Sequence, residues 1–130
     1  MGAWSEEPFG NDTAADWAQE LSDQVTWDIV EHVLRAAAIY GEDDDDLATV
    51  AFAAAEVVAH GLGKPTQSDA YTTSVKAFVR RVGAPKPALV TLAARALDKS
   101  TRPSSDLAEL WEDDEAWQTA VEKLAAMLKQ

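Results

Sequence analysis

No cysteine occurs among the 130 residues, which removes disulfide frameworks, thiolate nucleophiles, iron–sulfur clusters and Cys-ligated zinc together. Histidine is nearly as scarce, with two residues. The sequence has no G-x-S-x-G, no H-E-x-x-H and no phosphate-binding glycine loop, so no recognisable catalytic or cofactor motif is present. No stretch reaches the ~18 uninterrupted apolar residues of a membrane span. The opening MGAWSEEPFGND lacks the basic and apolar regions of a secretory signal, so a soluble, cytoplasmic protein is expected. A myristoylation start needs Ser or Thr at the sixth position, where Glu6 stands. Alternation long enough for a strand is also missing.

Base is in short supply as well. Eleven Lys and Arg stand against 23 Asp and Glu, a net charge of −12. Such a surface repels phosphate, which argues against nucleic acid and anionic membranes as partners. The charges are segregated: residues 1–60 carry 14 acids and only Arg35 as base, 61–102 carry eight bases and two acids, and the remainder seven acids and two bases. Either the basic middle lies against acidic flanks and is neutralised internally, or Lys76, Arg80 and Arg81 form a patch for an anionic partner.

What the chain does have is helical periodicity. Hydrophobic residues at 47% suffice for a core, and the length fits one domain spanning 1–130. A cap at Asn11 or Asp12 predicts a first helix over 12–22, and Ile29, Val30, Val33, Leu34 and Ala37 carry a second from Thr26 to Gly41. The alanine-rich third, Leu47 to His60, is apolar nearly all round and is expected to be central. Ser68 or Asp69 caps a fourth that Gly83 closes, Pro87 opens a fifth, and Ser105 caps a short Leu107–Trp111 turn. A last helix starts near Asp114. The expected fold is therefore all-α, a compact bundle of six or seven short helices with a non-helical arm over residues 1–10. Trp4 and Phe9 in that arm read as clamps, Phe9 lying near the position of a hydrophobic staple.

Few residues offer chemistry. Both histidines follow a carboxylate by four positions, Asp28 before His32 and Glu56 before His60, whereas di-iron bundles use Glu-x-x-His. Asp28 and His32 lie off the apolar stripe of their helix and point to water. Glu56 and His60 form the weak catalytic candidate: a carboxylate desolvated beside Phe52 suits general acid–base work, while the same spacing also describes a polar stripe facing solvent. Asp43, Asp44, Asp45 and Asp46 are a weak metal candidate. They lack the alternating ligands, sixth-position Gly and twelfth-position Glu of a calcium loop, and they suit a helix cap equally well. Five tryptophans, Trp4, Trp17, Trp27, Trp111 and Trp117, supply core rings and leave one or two to anchor a partner.

The opening MGAW with PFGNDTAADW resembles a family of small bacterial proteins known only as a domain of unknown function, whose members read MGxWxxxPFxNDxAxDW. The resemblance continues through AFAAAEVVA, GKP, ARALDK and SSDLAELWEDDEAW, and so covers essentially the whole chain. It implies a bacterial, helical protein, brings no activity to transfer, and places Asn11, Asp12, Asp16, Trp17, Glu56, Leu110, Trp111 and Glu112 at recurrent positions of the family. The residues themselves lead to a non-enzymatic acidic interaction module with no cofactor. Its partner is another protein, basic in the sharpest version, that of an immunity-like or antitoxin-like neutraliser. Trp111, Glu112, Arg80 and Arg81 are the candidate contacts. The rival expectation is a hydrolase or metal-dependent enzyme using Glu56 and His60 or the Asp43–Asp46 cluster.

Overall fold

Capping residues set most of the helix boundaries. In the computed structural model, which describes residues 4–112 and 114–129, Asn11 accepts from the Ala14 N–H and opens α1 (Asp12–Gln19). That helix tightens into a 3₁₀ turn at Glu20–Asp23. Helix α2 (Asp28–Tyr40) runs to Gly41 and passes into a second 3₁₀ turn, Gly41–Asp43. Of the four aspartates, Asp44 is the cap of α3 (Asp45–Gly61): its carboxylate accepts from Leu47, and Asp45 and Asp46 fill the first turn. There the helix dipole favours negative charge. Asp69 caps a 3₁₀ turn, Ala70–Thr72, that leads into α4 (Thr73–Val82), closed by Gly83 at φ 79. Pro87 occupies the first turn of α5 (Pro87–Thr101). Ser105 caps α6 (Asp106–Trp111) and Asp114 caps α7 (Glu115–Leu128). Seven α-helices and no strand make up the described residues.

Helix α3 is the axis of the bundle. Every residue from Ala51 to His60 is buried, and α1, α2, α4, α5, α6 and α7 all pack on it. Its alanines explain how so many neighbours fit, since a methyl group lets a facing helix approach closely on any side. The larger side chains come from the partners: Val30 and Leu34 of α2, Phe78 of α4, Leu97 of α5 and Leu124 of α7 are essentially inaccessible. Each contributes roughly 1.5–3 kcal/mol by leaving water.

The arm before α1 folds back on itself, with the Trp4 and Ser5 amides donating to the Gly10 carbonyl at 2.8 and 3.1 Å. A Cβ on Gly10 would stand 2.7 Å from the Ser5 carbonyl oxygen, so only glycine permits this closure. Phe9 is wholly buried, as a clamp requires. Trp4 is not: it is 47% exposed, its ring lying 5.5 Å from that of Tyr71, itself exposed. The arm is therefore held by Phe9, with Trp4 left on the outside.

Part of the basic middle is neutralised internally. Lys99 and Arg102 approach Glu42 at 3.3 and 3.8 Å, Ser104 donates to it as well, and these contacts hold its carboxyl below the usual range, the Ser104 hydrogen bond contributing most. Arg81 donates to the Leu21 and Gln24 carbonyls at 2.5 and 3.1 Å, tying α4 to the end of the first 3₁₀ turn.

Candidate functional site

Glu56 and His60 lie together in the interior, below the arm. One helical turn apart on α3, they meet with His60 Nε2 3.1 Å from Glu56 Oε2. The Thr66 and Gln67 amides donate to that same oxygen at 2.8 and 2.9 Å, and the Thr66 hydroxyl donates to Oε1 at 2.6 Å. Two backbone amides and the Thr66 hydroxyl thus converge on the one carboxyl group. Nε2 of His60 also lies 2.9 Å from the Gln67 carbonyl. With acceptors on both sides, it is the nitrogen that carries a proton. The chain of contacts continues upward: Gln67 accepts from the Phe9 amide at 2.8 Å and donates to Asp69 at 3.1 Å.

Of the two arrangements open to Glu56 in the sequence, the structure has the buried one. Its lone pairs are already engaged, however, and both side chains are almost completely enclosed. The pair fastens the 64–69 loop and the arm to α3. Asp28 and His32 are exposed on α2. Among the described residues no three His, Asp or Glu side chains converge as a metal-ligand set, and the four aspartates are divided between a 3₁₀ turn, a cap and a helical first turn.

A different place gathers chemistry without using it internally. Between the arm, the start of α3 and the α6–α7 junction lies a cavity of about 220 Å³. Glu6 and Glu7 of the arm and Asp45 and Asp46 of α3 supply its carboxylates. Thr49 and Phe52 follow Asp45 by one and two turns on one face of α3, and so continue the wall inward. Leu107, Leu110 and Trp111, spaced three and four apart on α6, form the opposite wall. Trp117 of α7 reaches the cavity beside Trp111, their rings parallel within 6° at 5.9 Å, a favourable aromatic separation. No Lys or Arg is among the described residues lining it.

The acidic surface extends outward. Glu6, Leu110 and Trp111 also line an adjoining shallow groove with Trp4, Glu112 and Asp114. Trp4 and Leu110 are about half exposed there. Glu112 has φ 53, the one positive φ outside glycine among the described residues. Such a backbone costs on the order of 1–3 kcal/mol. Trp111 thus stands with Asp45 and Asp46 in the cavity and with Glu112 in the adjoining groove, a grouping their separate places in the sequence do not announce. Arg80 and Arg81 stand apart: neither lines this surface, and Arg81 is engaged with backbone carbonyls.

One of the cavity's carboxyls is perturbed by its surroundings. Burial, then repulsion from Asp69, Glu6 and Glu56, pushes the Glu7 carboxyl above its ordinary value of 4.5, and Lys123 offsets this only in part. The folded state therefore holds the Glu7 proton more tightly than the unfolded chain does. The charged form opposes folding, a penalty that is absent below the unfolded value and grows as pH rises through the folded one. Replacing Glu7 with Gln is expected to raise the urea midpoint at pH 7 and leave it unchanged at pH 3. Equal midpoints at pH 7 would show that Glu7 meets no such repulsion.

Residues 2–123 match the family model of a domain of unknown function (DUF4259), and the chain belongs to that family. No curated protein and no solved structure is detectably similar to it.

Proposed function

We propose that this protein is a non-enzymatic, acidic interaction module of the bacterial cytoplasm that binds a basic segment of another protein at the groove beneath its N-terminal arm. The observation that carries this reading is the cavity itself. Four carboxylates surround an aromatic floor, and no Lys or Arg is among the described residues lining it. A few acids elsewhere are paired, as Glu42 is with Lys99 and Arg102, and Glu31 with Arg35; those at the cavity are set beside aromatic rings instead. An aromatic anchor ringed by charge of one sign is the arrangement of an interface that steers an oppositely charged partner and then seats it. An immunity-like or antitoxin-like neutraliser of a basic protein is the sharpest form of this function.

The enzymatic alternative, a hydrolase or metal-dependent enzyme, has less support. Glu56 and His60 are spent on a loop, and Asp44 on capping α3, while no three His, Asp or Glu side chains converge among the described residues.

Panning a random peptide library on the immobilised protein tests the proposal. Enrichment of peptides rich in Lys and Arg is expected, with affinity falling as salt rises. An Asp45→Lys, Asp46→Lys double variant should lose at least tenfold in affinity for the enriched peptides. Peptides without basic excess, or equal retention by the double variant, would overturn the reading.

A further inference from the structure

The cavity is small and its chemistry is mixed, and the two together narrow what it can receive. At about 220 Å³ it falls below the ~300–1,000 Å³ of pockets that enclose drug-sized ligands. It holds one long side chain. Its walls offer carboxylates from two directions, the arm on one side and the first turn of α3 on the other, with the Trp111 and Trp117 rings between. Trp117 is only 3% exposed, and its indole N–H has no acceptor among the described residues.

We propose that this cavity is an arginine pocket: it takes the guanidinium group of one arginine from the partner, between the carboxylates and the Trp111 ring. The inference rests on the interaction reading above and names what the groove selects. A guanidinium is planar and weakly hydrated, stacks on indole faces, and presents a fork of donors that two carboxylates can share. An ammonium is a compact, strongly hydrated point charge, less suited to leaving water for an aromatic wall. A metal ion is a poorer occupant, since no three carboxylates converge among the described residues.

The probes are N-acetyl-arginine amide, its lysine counterpart and its uncharged isostere N-acetyl-citrulline amide. They are titrated into the full chain while the indole N–H resonances are followed by NMR, with Trp111→Phe and Trp117→Phe used to assign the two signals. The arginine derivative is expected to shift those resonances saturably, the lysine derivative to bind at least threefold more weakly, and the citrulline derivative not to bind. Glu6→Gln with Asp46→Asn should weaken the arginine derivative at least tenfold while circular dichroism stays that of the parent. Equal binding of lysine or citrulline, or no loss in the double variant, would overturn the pocket. If library peptides rich in basic residues bind but the arginine derivative shifts neither indole, the arginine pocket fails and the interaction module stands. If neither binds, both fail.

Discussion

Replacing Glu56 with Ala is expected to destabilise the protein by about 3–5 kcal/mol, the cost typical of removing one partner from a buried ionic network. The carboxylate is inaccessible to solvent, and its removal leaves the Thr66 and Gln67 amides without their acceptor. Each abandoned buried donor costs about 1–3 kcal/mol. Glu56→Gln should recover much of the loss, because one orientation keeps the amide oxygen toward the Thr66 and Gln67 amides and turns the amide nitrogen toward the Thr66 hydroxyl, which can accept. Urea unfolding followed by circular dichroism measures both variants. The result also separates the structural role from a catalytic one: a general base can be removed with the fold intact, whereas a fastening cannot. An unchanged midpoint for Glu56→Ala would return the residue to the catalytic candidates.

The helices were legible because their signals are local. Asn11, Asp44, Ser105 and Asp114 each sit within three residues of the amide they cap, and Pro87 and Gly83 mark ends through their own backbone geometry. The shift from α1 into a 3₁₀ turn at Glu20 was not legible. It is held in place by Arg81, 60 residues on from Leu21, a bond that no periodicity in either segment records. Glu56 shows the same limit at a site: its helix and its desolvation could be argued, but its partners are mostly backbone amides on the 66–67 loop, and backbone donors have no sequence signature. The groove needs four separated segments to meet. Glu6, Glu7, Asp45 and Asp46 read as unrelated acids until the arm folds across the start of α3. Trp111 and Glu112 were visible as a surplus aromatic and a neighbouring acid, without the surface they belong to.

Phe9→Ala is expected to cost about 3–5 kcal/mol, in line with truncation of large aromatic core side chains, against a total stability of only about 5–15 kcal/mol for a domain. Phe9 is the largest wholly buried side chain in the arm and ranks among the largest in the molecule. Its removal opens a void in a close-packed core that relaxes only partly around it. The loss does not stop at packing. The Phe9 amide is the arm's bond to Gln67, whose own amide donates to Glu56, so a displaced arm unsettles the network that fastens the 64–69 loop. Trp4→Ala provides the contrast: half exposed beside Tyr71, it should cost less than about 1 kcal/mol. Urea unfolding of the two variants against the parent measures the difference, with a much lower midpoint expected for Phe9→Ala alone. Because Glu6 and Glu7 are carried by the same arm, a Phe9→Ala protein kept folded at low temperature should also bind basic peptides more weakly. Equal midpoints for the two variants would show that the arm is held by something other than Phe9.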